Sequence, residues 1–261
     1  MRAIKNNQLL SFIVITYFIS WLFWLPLFFM DKTSFLLIAA GGFGPLLAAF
    51  IMMFITDSDL KKWSGKIFNF KIKFKYYVFV LLYPLIFYGL ISILLYITGN
   101  TFTPAKEISL FSYIMNLIAM LILGGGQEEV GWRGYALPKM IKKYKPLTAS
   151  FVLGLIWIGW HLPLFFIKDS AQAGIPFIWY IINTLAFSII LTWLYIKSNY
   201  SVIPAMILHA GMNMAVNYFP IVLEKTYMYV AFVEIIIAVI LVVYDKKLVY
   251  FKKNNNYKIS N

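Results

Sequence analysis

The chain of 261 residues contains no cysteine, only two histidines and few charged residues. The absence of cysteine excludes disulfides, thiolate nucleophiles and metal sites with cysteine ligands. Charged residues make up 13% of the sequence, whereas soluble domains contain roughly 25%. Low-complexity tracts and internal repeats are also absent. Whatever chemistry the protein performs must therefore be carried by very few polar side chains.

Long apolar segments dominate the sequence, and the mean hydropathy is +0.79. A membrane-spanning helix needs ~20 predominantly apolar residues. We therefore predict an all-α integral membrane protein with about eight transmembrane helices, at residues 9–30, 34–56, 76–98, 108–127, 147–167, 177–196, 201–219 and 227–244. The first span is too long and too aromatic for a cleaved signal peptide, so we expect it to be retained.

The basic residues indicate how these spans are oriented, because cytoplasmic loops carry an excess of Lys and Arg. With the N-terminus inside, 19 of the 23 basic residues are cytoplasmic and four are outside. This asymmetry predicts that both termini are cytoplasmic. Lysines beside helix ends also explain the net charge of +13, and we expect anionic lipid headgroups as partners. We expect no nucleic acid, since no binding motif for it accompanies the charge.

The chain is predicted to form a single polytopic membrane domain over residues 1–261. Within it, residues 1–107 supply the N-terminal helices, residues 108–220 carry the polar motifs, and residues 221–261 supply the last helix and a basic tail. The composition, rich in Lys, Ile and Asn, is typical of an AT-rich bacterial genome. We therefore expect a multi-pass protein of a bacterial plasma membrane.

The polar residues inside the apolar spans form one group and one isolated acid. The stretch LGGGQEEVGWRGY places two adjacent glutamates and an arginine at the end of the predicted fourth span. The two histidines, His161 and His209, both lie inside apolar spans, where burial is costly. Glu234 is alone in the last span, and we expect it to face the bundle interior and to have a partner there.

Helical spacing makes the two glutamates unequal. Glu129 and Arg133 are four residues apart and can pair across one helical turn. Glu128 points about 100° away and has Trp132, rather than a cation, four residues further on. Unequal surroundings are typical of two carboxylates that divide acid and base roles.

Two further pairs share helix faces by the same spacing, His209 with Asn213 and Trp157 with His161. Three glycines at residues 124–126 precede the glutamates, and they favour either close helix packing or substrate access. Acids, histidines and an asparagine in separate membrane helices can bind a cation, relay protons or activate water. The sequence contains no HExxH zinc motif, no GxSG serine motif and no GxGD aspartate motif.

The remaining pattern consists of EEVGWR, WIGWH and HAGMN, in that order, in three successive helical regions. It resembles the EExxxR, FxxxH and HxxxN or HxxxD motifs of the CAAX protease and bacteriocin-processing family (CPBP, also called Abi) of intramembrane proteases. Trp157 stands where that family usually has Phe, a difference that concerns pocket shape more than chemistry. The resemblance covers about residues 110–220.

The resemblance implies peptide-bond hydrolysis inside the membrane, with a catalytic core in predicted helices 4, 5 and 7. By likeness to the family, Glu128 would activate the attacking water and His161 would help to hold it. His209 and Asn213 would stabilise the oxyanion. The supporting residues would be Glu129, Arg133 and Trp157.

The cofactor stays open at this point. Either none is required, or a divalent metal such as zinc is bound by Glu128, His161 and His209, because two histidines and a glutamate suit zinc with one open position. We favour the metal-independent glutamate mechanism. The expected substrate is a membrane-embedded or membrane-associated peptide. The bacterial composition favours a peptide pheromone, a bacteriocin leader or a small membrane protein over a prenylated CAAX protein.

Two other functions are compatible with the same scaffold. A bacteriocin self-immunity protein would bind its target without cleaving it, although the intact motifs argue against a loss of activity. A cation or proton transporter would line a path with buried acids, but transporters commonly contain internal repeats, and none is found in this sequence.

The predicted depths of the motif residues conflict with a shared site. Counting 1.5 Å per residue from the cytoplasmic helix ends, His209 lies about 12 Å deep and His161 about 21 Å deep. Glu128 would lie near the cytoplasmic end of its own span. Convergence requires that the fifth helix begin later or that the fourth bend at its glycines.

Overall fold

The structure, a computed structural model, describes residues 2–100, 109–219 and 223–249. Helices account for all the regular secondary structure of these residues. In chain order they are α1 (Arg2–Asn6), α2 (Gln8–Trp24), α3 (Phe35–Gly42), α4 (Gly44–Ile55), α5 (Leu60–Ile67), α6 (Phe74–Ile97), α7 (Leu110–Leu123), α8 (Glu128–Gly131), α9 (Leu137–Ile141), α10 (Pro146–His161), α11 (Phe177–Lys197), α12 (Ile203–Ala215), α13 (Leu223–Tyr244) and α14 (Lys246–Val249). Short 3₁₀ segments follow α2 and α10, and a π-helical turn, Trp132–Ala136, joins α8 to α9.

Each predicted span overlaps a described helix, which confirms the all-α membrane class. Six helical segments in the described ranges are long and apolar enough to cross a membrane, and a seventh results if α7 and α8–α9 count as one bent span. The segment predicted at 201–219 falls short, because α12 has only 13 residues. At 1.5 Å per residue it rises about 20 Å, less than the ~30 Å hydrocarbon core.

The cytoplasmic location of both termini stays a prediction, because the structure does not contain a membrane against which to orient the helices. The predicted boundaries at residues 107–108 and 220–221 lie outside the described residues, as does the basic tail beyond Val249.

The fourth predicted span, 108–127, departs most from the sequence prediction. α7 ends at Leu123, and the chain resumes at Glu128 after a bend of 43°. Gly125 lies in this bend with φ +113°, a backbone conformation that glycine adopts with little strain and other residues rarely adopt. The prediction that the two glutamates close the end of a helix is therefore wrong. They begin the second half of a broken span.

Glycines allow α8 to approach α4 closely. A Cβ atom at Gly131 would lie 2.3 Å from the carbonyl oxygen of Pro45, and a Cβ at Gly44 would lie 1.9 Å from the hydroxyl of Ser20 in α2. In lipid, helices associate through such close packing and through hydrogen bonds rather than through the hydrophobic effect. As a result α2, α4 and α8 pack side by side.

In the other half of the bundle, α10 packs on α11, α11 packs on α13, and α12 lies against α6 and α7. Glu234 of α13 is buried and accepts a hydrogen bond of 2.6 Å from Asn183 of α11. This confirms that the isolated acid faces the interior and has a partner. At one end of the same two helices, Asp245 accepts a hydrogen bond of 2.9 Å from Trp193 and pairs with Lys197 at 2.6 Å.

The short helix α5 is hydrogen-bonded to both segments that carry the EExxxR and HxxxN motifs. Trp63 of α5 donates from Nε1 to the carbonyl of Gly134, in the π-helical turn, at 3.0 Å. At the end of α5, the carbonyl of Ile67 accepts a hydrogen bond of 2.8 Å from the backbone N–H of Val202, just before α12. A displacement of α5 would therefore act on both motifs.

Candidate active site

Glu129 is the most strongly bonded of the predicted site residues. Its side chain is fully buried, and its Oε1 accepts a hydrogen bond of 3.0 Å from Arg133 and lies 2.8 Å from Nδ1 of His209. The pair with Arg133 that helical spacing predicts is thus confirmed. Because a carboxylate oxygen only accepts hydrogen bonds, the Nδ1 nitrogen of His209 carries a hydrogen. The imidazole is held with Nε2 available for another partner.

Arg133 is fully buried and is fixed by three different helices. Besides Glu129, its guanidinium donates to the hydroxyl of Ser188 on α11 at 3.2 Å. That hydroxyl in turn donates to the carbonyl of Ser150 on α10 at 2.9 Å. The guanidinium also lies 5.0 Å from the ring centroid of Trp157, a distance at which a cation is attracted to an aromatic face.

Glu128 has different surroundings from its neighbour. Its Oε2 accepts one hydrogen bond, from Nε1 of Trp157 at 3.1 Å. The residue is 7% exposed, whereas Glu129 is 0% exposed. His209 and Arg133 are close enough to interact with it electrostatically. Of the two carboxylates, Glu128 is therefore the one that can still meet a water molecule or a substrate.

His161 ends α10 and is surrounded by aromatic rings. Its Nδ1 lies 3.1 Å from the backbone carbonyl of Trp157, so this nitrogen carries the hydrogen and Nε2 can accept a further hydrogen bond. The rings of Trp160 and Tyr180 lie 4.5 Å and 5.9 Å from the imidazole. The ring of Trp157 is also 5.0 Å from that of His209, so this tryptophan adjoins both histidines.

His209 and Asn213 face the break in the fourth span. A Cβ atom at Gly125 would lie 2.6 Å from Nε2 of His209 and 2.8 Å from Nδ2 of Asn213. Asn213 is exposed and donates to the carbonyl of Gly124 at 2.8 Å. Of the two conditions for convergence, the bend at the glycines is present, whereas α10 begins at Pro146, close to the predicted residue 147. Among the hydrogen bonds of the described residues, His209 contacts Glu129 directly, and His161 is linked to Glu128 only through Trp157.

Sequence reasoning missed two residues that support the site. Ser188, which bonds Arg133, lies four residues from both Thr184 and Thr192, so a polar stripe on an apolar helix was the available signal. The side-chain oxygen of Gln127 accepts a hydrogen bond of 3.0 Å from the backbone N–H of Gly125. Its place between the glycines and the glutamates was the only signal for this contact.

The role of Trp157 differs from the expectation. The replacement of Phe by Trp was expected to affect pocket shape more than chemistry. Phenylalanine has no hydrogen-bond donor, whereas the indole of Trp157 donates directly to Glu128. The substitution therefore changes the bonding of the carboxylate itself.

The alternative metal-ligand set is not assembled. In the ranges that the structure describes, no group of three or more His, Cys, Asp and Glu side chains is placed to hold a metal ion. The Nδ1 atoms of His161 and His209 contact Trp157 and Glu129, as the second nitrogen of a metal-binding histidine also does, and they leave Nε2 open in both. Because Glu128 and the two histidines are nevertheless not grouped closely enough to share a metal, we derive no catalytic step through one.

Comparison with known proteins agrees with this arrangement of motifs. Residues 110–215 match the family described as Type II CAAX prenyl endopeptidase Rce1-like. The chain is 32% identical over 277 residues to CAAX prenyl protease 2 of Methanococcus maripaludis, which covers 97% of this chain and 99% of the relative. The chain belongs to this family. As a CAAX-type intramembrane protease it acts on a peptide substrate in a membrane context. The matched residues extend from α7 to α12 and include every predicted site residue.

Proposed function

We propose that this protease hydrolyses its substrate with Glu128 as the base that activates water. The observation that carries the proposal is the difference between two adjacent glutamates. Glu129 is fully buried and bound to both Arg133 and His209. Glu128 has one hydrogen bond and keeps some exposure. A base must reach the proton that it removes, and Glu128 meets that requirement.

In this proposal Glu128 removes one proton from water while the water oxygen attacks the peptide carbonyl carbon. The Nε2 of His161 accepts a hydrogen bond from the second hydrogen of the same water and so orients the attack. Glu128 then donates its proton to the peptide nitrogen while the oxyanion re-forms a carbonyl and the C–N bond breaks, which releases the amine and the new carboxyl end and regenerates the carboxylate of Glu128. Enclosure of these groups in a low-dielectric site strengthens each interaction.

The oxyanion is stabilised from the side of α12. Asn213 donates from Nδ2 without any change of protonation. His209 can donate from Nε2 only when both of its ring nitrogens carry hydrogen, and its Nδ1 lies 2.8 Å from the carboxylate of Glu129. Removing one such donor from an oxyanion site typically costs ~10²–10³ in rate.

The exposed surface of α7 supports a lipid-anchored substrate. No residue of this helix is fully buried, and the side chains of Leu110 and Phe111 are each 75% exposed. A peptide anchored in the bilayer can approach Glu128 along this surface. Because the relative is named a prenyl protease, we propose a prenylated C-terminal CAAX segment as substrate, in place of the pheromone or leader peptide favoured by composition.

The test uses the purified protein in lipid vesicles with one CAAX peptide, prepared with and without its prenyl group. We expect cleavage of the prenylated peptide. Glu128→Gln should lower the rate by ~100-fold or more, since general base catalysis contributes ~10²–10⁴. Glu224→Gln, which changes an exposed glutamate at the start of α13, should keep the wild-type rate. Addition of a chelator should leave the rate unchanged.

Each part of this experiment can contradict one claim of the proposal without contradicting the others. Wild-type activity in Glu128→Gln contradicts the assignment of the base, whatever the substrate is. Equal cleavage of both peptides contradicts the prenyl requirement alone. Loss of activity with the chelator and its return with zinc would contradict the metal-independent mechanism.

A further inference from the structure

A second polar site lies at one end of the bundle, where α4 and α9 end and α2 begins. A cavity of about 250 Å³ opens there between α5 and the segment from Gly134 to Lys142. Four lysines line it: Lys62 and Lys66 from α5, Lys139 from α9, and Lys142 just after α9. The cavity lies where the membrane-spanning segments end, which is the level of the lipid headgroups.

Positive side chains outnumber negative ones in the lining of this cavity, four lysines to one carboxylate. Its one lining carboxylate, Asp59, caps α5 by accepting a hydrogen bond of 2.8 Å from the backbone N–H of Lys62. Among the ion pairs of the described residues, none involves Lys62, Lys139 or Lys142. The Nζ atom of Lys139 lies over the ring of Tyr135, 4.3 Å from its centroid.

The lysines also lie close enough to repel one another. Burial lowers the pKa of Lys66, and the neighbouring charges of Lys142 and Lys62 lower it further. An anion placed between these amines would remove the repulsion and form charge-assisted hydrogen bonds with them.

The surroundings favour an anion attached to a lipid. The cavity is smaller than the roughly 300–1,000 Å³ of a pocket for a drug-sized ligand, so it suits a headgroup rather than an acyl chain. Exposed apolar side chains follow two of the lining residues in sequence, since Phe54, next to Met53, is 85% exposed and Leu60, next to Asp59, is 46% exposed. They offer a surface for the acyl chains of a molecule whose phosphate is inside.

We propose that this cavity binds the phosphate of an anionic phospholipid headgroup. The bound lipid bridges α5 and α9. Because Trp63 of α5 bonds Gly134 and Ile67 bonds Val202, the lipid also stabilises the position of α8 and α12. This inference does not depend on the role proposed for Glu128.

The test measures thermal unfolding of the purified full chain in detergent micelles with three probes. These are short-chain phosphatidylglycerol, short-chain phosphatidylcholine and inorganic phosphate. We expect phosphatidylglycerol to raise Tm at concentrations at which the other two have little effect. A lysine near an anionic surface contributes ~1 kcal/mol, so Lys139→Gln/Lys142→Gln should weaken the apparent affinity for phosphatidylglycerol roughly 30-fold.

The matched control is Lys143→Gln/Lys145→Gln, which removes the same charge from two lysines of the same segment that do not line the cavity. Its affinity should fall by about threefold or less, because a charge that does not contact the bound phosphate acts on it only through screening solvent. Should the first variant unfold without lipid, Lys62→Gln tests the opposite wall and should also weaken binding. Equal weakening in cavity and control variants overturns the site. Equal stabilisation by inorganic phosphate supports an anion site but overturns its lipid source.

Discussion

Glu129→Gln removes the negative charge from the carboxylate that holds both Arg133 and His209. Arg133 is 0% exposed, so the change leaves a buried guanidinium with neutral partners only, namely the amide oxygen of the new glutamine, the hydroxyl of Ser188 and the face of Trp157. Removing one member of a buried ion pair typically costs about 3–5 kcal/mol. The variant should therefore lose folding stability as well as activity.

Glu128→Gln should behave differently although it changes the adjacent residue in the same way. Glutamine keeps an oxygen that can accept the hydrogen bond from Trp157, and no cation loses a bonded partner. The expected loss of stability is about 1 kcal/mol or less. The loss of activity should be the full loss expected when the catalytic base is removed. The two variants thus separate a structural carboxylate from a reacting one.

The assay compares the thermal unfolding of both variants with that of the wild type in one detergent, and measures cleavage in parallel. Glu129→Gln should lower Tm on the order of 10 °C, and Glu128→Gln should unfold close to the wild type. An equal fall of Tm in the two variants would refute the reasoning, as would a larger fall in Glu128→Gln. Glu224→Gln serves as the control for a glutamate outside the site.

Three further predictions follow from single contacts. Gly125→Ala should lower the cleavage rate ~100-fold, because a Cβ would push the imidazole of His209 out of position. The control Gly89→Ala, in an open position of α6, should have no effect. Equal cleavage rates in the two variants would contradict the close approach of His209 to Gly125. Trp157→Phe should lower kcat about tenfold with KM unchanged, since Glu128 loses a charge-assisted hydrogen bond, and an unchanged kcat would mean that the indole only fills space. Burial opposes ionisation of Asp245, but hydrogen bonds from Lys197 and two N–H groups lower its pKa below 3.8. The Tm advantage of the wild type over Asp245→Asn should therefore be present at neutral pH and shrink as pH falls through the lowered pKa, and a constant difference would contradict this.

The helices could be predicted from sequence because apolar runs of membrane length leave little choice in lipid. The break after Leu123 could not. Three consecutive glycines are compatible with close packing and with substrate access, and neither interpretation specifies a backbone angle. The positive φ of Gly125 occurs where His209 and Asn213 of α12 leave no room for a Cβ atom, a proximity that no local pattern contains. The shortness of α12 is likewise hidden, because its apolar residues continue into the flanking turns.

The same distinction between local and distant contacts applies to the site. The Glu129–Arg133 pair follows from helical spacing and is confirmed. The contact between His209 and Glu129 joins residues 80 positions apart, and it depends on which face of α12 meets α8. From the sequence we expected the histidines to serve the freer glutamate, Glu128. In the structure one of them binds the other glutamate, and Trp157 occupies the position beside Glu128.

A broken span inside a bilayer leaves backbone groups without helical partners, and each of them needs a substitute. The substitutes here come mostly from the motif region itself. Gln127 accepts from the N–H of Gly125, and the N–H of Gly126 reaches back to Met120. Asn213 donates to the carbonyl of Gly124. The asparagine of the HxxxN motif therefore stabilises the bend that precedes Glu128. Its Nδ2 carries a second hydrogen that can donate to an oxyanion while the first stays on the carbonyl of Gly124, so the chemistry and the geometry of the break depend on the same side chain.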